Sequence, residues 1–171
     1  ATRAWWAGLY APLLAQGADG VWNDMNEPAV FNVPSKTMPE DAVHRADPEL
    51  GGTGPHARYH NIFGMQMIRA TREGLEAARP DRRPFVLSRA NFLGGQRYGA
   101  TWTGDNTADW EQLAWSVSMA LNLGLSGQPF TGPDIGGYVG DGPAGVPPHD
   151  RGTHFARWMG VGALLPFARA H

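Results

Sequence analysis

The sequence predicts an α/β fold with a parallel sheet, and two observations support this prediction. Short apolar segments alternate along the chain with longer amphipathic segments, which is the order of βα units. Five of the short segments run directly into polar residues, and in α/β barrels the site is built from the carboxyl ends of the strands. Because eight strands close such a barrel, the pattern indicates either an open sheet or the later part of a barrel.

The first half of the chain predicts two helices, one strand and a long loop. Residues 3–16 carry an apolar helix face that Pro12 interrupts, and residues 20–22 read as a short buried strand. Residues 57–79 form an amphipathic pattern that ends before a proline. Between them, about residues 32–56 are rich in Pro, Gly, Asp and His and predict a loop excursion. Such a loop is either a tolerated surface insertion or the rim of a cleft.

The second half predicts four more strands and two more helices. The strands are at 85–87, 99–102, 129–131 and 163–167, and the helices are at 110–121 and 154–162.

Composition excludes several classes of protein. The 14 Lys and Arg against 16 Asp and Glu give a net charge of −2, so we expect no binding to nucleic acid or to an anionic membrane. The absence of cysteine removes zinc-thiolate sites and thiol nucleophiles, and it leaves the compartment open, with the cytoplasm slightly favoured. No apolar run approaches the roughly 20 residues of a membrane span, and no signal-peptide pattern opens the chain. The oligomeric state stays open.

The residues that could perform chemistry are mainly carboxylates that follow strands. No Ser, His and Asp set, phosphate-binding loop or His pair with metal-ligand spacing is present. Two carboxylates across a cleft suit glycoside hydrolysis, and the rings of Trp22 and Trp102 suit the C–H faces of a sugar. The candidate carboxylates are Asp24, Glu27, Asp105 and Asp134, with Arg89 and His171 as partners.

Four motifs follow one another along the chain: GVWNDMNEP, FVLSRANFLGGQRYGATWTGDN, GPDIGGYVGD and LLPFARAH. Together they resemble glycoside hydrolase family 31, the family of α-glucosidases and α-xylosidases. GVWNDMNEP is similar to the family's nucleophile signature at the end of the fourth barrel strand. FVLSRANFLGGQRYGATWTGDN, GPDIGGYVGD and LLPFARAH resemble later segments of the same family, in the same order. The resemblance implies a (β/α)8 TIM barrel, of which residues 1–171 form one partial catalytic domain covering about strands 4 to 8.

The resemblance also implies roles for individual residues. Asp24 matches the nucleophile and Asp105 the general acid/base, so the two carboxyl groups are expected about 5–5.5 Å apart. No metal and no cofactor are expected. Arg89 and His171 match residues that contact the sugar in the −1 subsite, Trp22, Trp102, Asp134 and Tyr138 match residues that line or support it, and Glu27 is a supporting residue.

Simpler interpretations stay open for some of these residues. Asp105 is also a plausible helix N-cap, Glu27 could compensate a helix dipole, and Asp134 could serve only a turn. Arg89 could pair with a structural carboxylate. The remaining histidines have no motif and are interpreted as surface or structural residues: His44, His56, His60, His149 and His154.

The leading functional prediction is a retaining exo-α-glycosidase that removes terminal α-linked glucose from oligosaccharides. The alternatives are an α-xylosidase or α-transglucosylase of the same family, or an inactive sugar-binding fragment. A metal-dependent hydrolase that uses Asp24, Glu27, Asp134 and His171 as ligands is a further class. Because a partial barrel leaves strand edges and core surface open, we also expect poor independent stability and aggregation.

Overall fold

The structure is a computed structural model that describes residues 1–147 and 151–171. It divides into two compact units, Ala1–Gly99 and Ala100–His171. Both units combine helices with parallel strand pairs, so the predicted α/β class and parallel pairing are confirmed. Of the histidines interpreted above, His149 lies outside the described residues.

The first unit is built around one parallel strand pair and one long helix. Strands β1 and β4 pair in register from Gly20 opposite Phe85 to Asn23 opposite Ser88. Two short 3₁₀ helices, Pro48–Leu50 and Gly95–Arg97, lie in its connections. In chain order the main elements are α1 (Thr2–Gly8), α2 (Ala11–Ala15), β1 (Gly20–Asn23), β2 (Val43–Arg45), β3 (Thr53–Pro55), α3 (His56–Ala78) and β4 (Phe85–Ser88).

Helix α3 packs against α1, α2, β1 and β4, as its amphipathic pattern predicts. A Cβ atom at Gly74 would lie 2.5 Å from the carbonyl oxygen of Ala7, so this glycine lets the backbones of α1 and α3 approach each other closely. The apolar core that results consists of Tyr10, Leu14, Ile68, Leu75 and Val86.

Two predictions for the start of the chain need refinement. The helical segment 3–16 is two helices, and Pro12 lies in the first turn of α2, where a missing N–H costs little. Strand β1 is confirmed, but it is not buried along its length, since only Asn23 is fully covered. Among the described strands, β1 lies at the edge of its sheet, which explains its exposure.

The loop excursion predicted over about 32–56 contains regular structure in its second half. Strands β2 and β3 form an antiparallel hairpin there, with Val43 opposite Pro55 and Arg45 opposite Thr53. The connection turns through Gly51 and Gly52, both with positive φ. Strands of three residues are too short to show an alternating pattern, which is why the sequence did not reveal them.

Three histidines connect this hairpin to the start of α3. His44 Nε2 lies 2.9 Å from His56 Nδ1, and His56 Nε2 lies 2.9 Å from His60 Nδ1. His56 is buried, and Phe63 packs edge-on against its ring. Burial lowers the pKa of His56 below the usual 6.5, and the neighbouring His44 and His60 lower it further, while Glu40 raises it. This arrangement agrees with the interpretation of His44, His56 and His60 as surface or structural residues.

We expect the hairpin to open more readily in acid. Because folding holds the pKa of His56 down, the unfolded segment binds more protons as the pH falls through about 6.5, and stability is lost there until the folded pKa is passed. Peptide-level hydrogen exchange of residues 42–60 at pH 7.5 and 5.5, corrected for intrinsic rates, measures this opening. His56→Gln should show a weaker pH dependence, with peptides of the second unit as internal control. Equal pH dependence in both proteins would contradict the assignment to His56.

Within its described residues, the second unit contains two parallel strand pairs and two helices. Strand β5 pairs with β6 through Thr101 opposite Thr131, and β7 pairs with β8 through Asp134 opposite Arg169. Its core cluster is Leu113, Ile135 and Trp158. The elements are β5 (Ala100–Trp102), α4 (Trp110–Leu125), β6 (Thr131–Gly132), β7 (Asp134–Ile135), α5 (Arg151–Gly162) and β8 (Arg169–Ala170).

Two strand positions in this unit differ from the prediction. The strand expected at 129–131 is displaced, and β6 and β7 are separated by Pro133. The segment 163–167 is not a strand, because Ala163, Leu164 and Leu165 donate backbone hydrogen bonds back into the end of α5. The chain becomes extended only at β8, just before His171.

Two of the simpler interpretations are also wrong. The N-cap of α4 is Asp109, whose Oδ1 accepts a 2.7 Å hydrogen bond from the N–H of Gln112, so Asp105 does not cap this helix. Glu27 lies in a turn and not at the start of a helix. Among the described helices, none is both long and apolar enough to cross a bilayer.

Candidate active site

The first unit places a carboxylate and a guanidinium side by side at the carboxyl ends of β1 and β4. Asp24 follows β1, and its side chain is 42% exposed. Arg89 follows β4, and its Nε lies 3.3 Å from Asp24 Oδ1. The parallel register aligns Asn23 with Ser88, so the residues after each strand project from the same edge of the sheet. The structure therefore brings together Asp24 and Arg89, which the sequence places 65 residues apart.

Glu27 holds the same arginine from a second direction. Arg89 Nε donates to Glu27 Oε1 at 2.8 Å, and Arg89 Nη2 donates to Glu27 Oε2 at 3.0 Å. This two-point geometry fixes the plane of the guanidinium as well as its position. The arrangement suits the supporting role expected for Glu27, because it orients a charge that lies against Asp24.

The turn between these two carboxylates has an unusual backbone. Met25 has a φ of 58°, in the left-handed region that residues with a Cβ seldom adopt. Its N–H donates to Asp24 Oδ1 at 2.8 Å, and its sulfur lies 2.8 Å from Arg89 Nη2. On the strand itself, Trp22 is 43% exposed, as a ring that stacks on a sugar must be.

In the second unit, Asp134 forms an ion pair that sequence reasoning did not identify. Asp134 is fully buried, and its Oδ1 accepts from Arg169 Nε at 3.1 Å and from Arg169 Nη2 at 2.5 Å. Asp134 is therefore more than a turn residue. The sequence did contain a feature that could have pointed to Arg169, since it is a charged residue at the end of an apolar segment, two residues before His171.

This ion pair joins β7 to β8 and so holds the last residues of the chain against β7. The N–H of His171 donates to the carbonyl oxygen of Ile135, and the His171 ring lies 4.6 Å from the ring of Tyr138. Tyr138 is half exposed, and its N–H donates to the carbonyl oxygen of Asn106 at 2.8 Å. Tyr138 and His171 thus lie together, and Tyr138 is bonded to the residue that follows Asp105.

One expectation for the aromatic residues needs correction. Trp102 is only 1% exposed, so its ring faces are covered and do not offer an open surface to a sugar. The guanidinium carbon of Arg169 lies 6.0 Å from its ring centroid, which fits a supporting position. Asp105, three residues later, is exposed to solvent, as a group that exchanges protons with substrate and water must be.

Across residues 1–147 and 151–171, no set of three or more His, Asp or Glu side chains is placed to hold a metal ion. A cavity of about 310 Å³ lies beside Asp19, before β1, and so at the opposite end of the strand from Asp24. Its arginines Arg79 and Arg82 are bonded to Asp19.

Carboxylates that follow parallel strands, together with the exposed ring of Trp22 on β1, fit the class expected from the sequence, an α/β glycoside hydrolase domain. The model of the glycosyl hydrolases family 31 TIM-barrel domain matches residues 1–171. The chain therefore belongs to glycoside hydrolase family 31 and forms part of its TIM barrel. The predicted fold and family are confirmed.

Named relatives agree with this membership. The chain is 47% identical over 173 residues to a probable glucan 1,3-alpha-glucosidase of Oryza sativa subsp. japonica, covering 99% of this chain and 17% of the relative. It matches the crystal structure of a family 31 alpha-glucosidase from Bacteroides thetaiotaomicron at 50% identity with a TM-score of 0.76, covering 98% of this chain and 24% of that one. Against the Tris-bound glucosidase II alpha subunit the identity is 44% and the TM-score 0.84, covering 99% and 17%.

The chain spans 17–20% of the length of the first curated relatives that it matches. The roles of the individual site residues, including the expected separation of the two carboxyl groups, stay predictions.

Proposed function

We propose that the full-length protein containing this chain is a retaining exo-α-glucosidase that releases terminal α-linked glucose from oligosaccharides. The observation that carries the proposal is the pairing of Asp24 with Arg89 at the carboxyl ends of two parallel strands. The guanidinium supplies an opposite charge beside the carboxylate that is proposed to attack the sugar. Membership of family 31 and α-glucosidase relatives at 42–47% identity support the substrate class.

The proposed reaction has two displacements. In the first, Asp24 attacks the anomeric carbon, the glycosidic C–O bond breaks, and Asp105 gives its proton to the departing oxygen. In the second, Asp105 takes a proton from water, the water oxygen bonds to the anomeric carbon, and the bond to Asp24 breaks. Two inversions leave the configuration unchanged, and neither step requires a cofactor.

Covalent trapping tests this proposal. Incubation of the full-length protein with 5-fluoro-α-glucosyl fluoride should add one fluoroglucosyl unit to the peptide that contains Asp24. Mass spectrometry of the intact protein and its peptides measures the label, and Asp24→Ala should abolish it. An unlabelled protein that still hydrolyses α-glucosides, or a label on another residue, would overturn the assignment.

Comparing the turnover of α-glucosides, α-xylosides and acceptor sugars separates hydrolysis of glucosides from the two family alternatives.

A further inference from the structure

A closed set of hydrogen bonds behind the candidate nucleophile joins the segments that follow β1 and β4. Asn26 Nδ2 donates to Ser88 Oγ at 2.8 Å, and Ser88 Oγ donates to the carbonyl oxygen of Ala90 at 2.7 Å. The N–H of Ala90 donates to Asn26 Oδ1 at 3.0 Å. Asn26 and Ser88 are both fully buried. We call Asn26, Ser88 and Ala90 the amide bridge, and we propose that Asn26 is a positioning residue that sets the geometry of Arg89 against Asp24.

The amide bridge holds both neighbours of the arginine, Ser88 through its side-chain hydroxyl and Ala90 through its backbone N–H. Ser88 precedes Arg89 and Ala90 follows it, so the single side chain of Asn26 fixes both flanking residues. The N–H of Arg89 also donates to the carbonyl oxygen of Asn23 at 3.2 Å. With its backbone fixed in this way, the guanidinium can reach Asp24 and Glu27 in only a narrow range of positions.

Asn26 is also close to the candidate nucleophile Asp24 along the chain. It stands two residues after Asp24 and immediately before Glu27, the second partner of Arg89. Both ends of the buried amide are bonded, and breaking these bonds would leave polar groups unpaired inside the protein, so Asn26 locks the turn in which both carboxylates lie. The amide bridge therefore fixes the positions of Asp24, Glu27 and Arg89 relative to one another.

Helix α3 closes the remaining side of the amide bridge. A Cβ atom at Gly64 would lie 2.8 Å from Ala90 Cβ and 2.9 Å from the carbonyl oxygens of Ala90 and Asn26. The helix backbone is thus in direct contact with the bridged segments, and these segments cannot relax toward it. Shortening Asn26 would instead allow movement toward the open side, where Asp24 and Arg89 lie.

The inference rests on the proposed function and is tested by kinetics of the full-length protein. Asn26→Ala should lower kcat for an α-glucoside by about 100-fold, the cost of misplacing catalytic groups by roughly 1 Å, with a much smaller change in KM. Ser88→Ala should act in the same direction. If both act through one bridge, the double variant should be no slower than the slower single variant.

A matched control separates positioning from general loss of stability. Leu75, on α3, is buried in the apolar core and lines the cavity beside Asp19, at the end of β1 far from Asp24. Leu75→Ala leaves a cavity in this core without touching the amide bridge, so it should lower the unfolding temperature and leave kcat unchanged. An equal loss of kcat in Leu75→Ala and Asn26→Ala would overturn the positioning role, as would an unchanged kcat in a folded Asn26→Ala.

A crystallographic readout keeps this inference distinct from the proposed function. In the full-length protein, Asn26→Ala should lengthen the 3.3 Å separation of Arg89 Nε and Asp24 Oδ1, whether or not α-glucosides are substrates. An unchanged separation would refute the positioning role. A wild-type protein that neither turns over α-glucosides nor takes the fluoroglucosyl label would refute the proposed function alone.

Discussion

Replacing Asp24 with Asn in the full-length protein is expected to lower kcat for α-glucosides by more than about 10⁴-fold, the scale on which loss of a nucleophile acts. Asn is nearly the same shape, so the contact with Arg89 and the surrounding turn can persist, but a neutral amide cannot form the glycosyl-enzyme. Steady-state kinetics and the rate of fluoroglucosyl labelling measure the effect. Both should be lost together.

Asp19→Asn is the matched control for this change. Asp19 immediately precedes β1, is exposed and pairs with Arg79 and Arg82, at the far end of the strand that leads to Asp24. The same removal of one negative charge there should leave kcat as it is. Turnover by Asp24→Asn within tenfold of wild type, in protein free of deamidation by mass, would exclude Asp24 as the nucleophile.

The second large effect is expected at Asp105, and it should depend on the leaving group. Asp105→Ala should reduce kcat for an oligosaccharide by about 10²- to 10⁴-fold, because the departing sugar oxygen then receives no proton. α-Glucosyl fluoride needs no such proton, so its first step should be almost unaffected and the glycosyl-enzyme should accumulate. Added azide, which attacks without general-base help, should restore turnover. Burst kinetics with and without azide measure these effects.

Asp109→Ala provides the control in the same loop. It removes the cap of α4, at a cost of about 1 kcal/mol in stability, but it removes no group that exchanges a proton with substrate. Its kcat should be independent of azide. If Asp105→Ala slows all leaving groups equally and azide has no effect, Asp105 is not the acid/base.

A long helix with a regular apolar repeat could be predicted from the sequence, whereas strands of two or three residues could not. The 23-residue helix α3 was predicted to within one residue at each end, because its apolar positions repeat over several turns. Strands β2, β3 and β8 have two or three residues and are held by partners elsewhere in the chain. The segment 163–167 has a strand-like composition, but its backbone hydrogen bonds return to α5.

The same contrast holds for the candidate site. Asp24 and Asp105 could be named as candidates because each stands in a motif of contiguous residues. Arg169 and Asn26 were missed, since their importance lies in contacts with Asp134 and Ser88, which are 35 and 62 residues away along the chain. Nothing in the local pattern around either residue reports such a contact.

The left-handed backbone of Met25 has a consequence for the evolution and engineering of this chain. A residue with a Cβ holds that conformation at a cost of roughly 1 kcal/mol or more, which glycine would avoid. Glycine would, however, lack the sulfur that lies beside Arg89. Selection for thermostability alone would therefore favour glycine at this position and would loosen the arginine's surroundings. The strain in this turn is thus a local loss of stability that accompanies the placement of a sulfur atom beside Arg89.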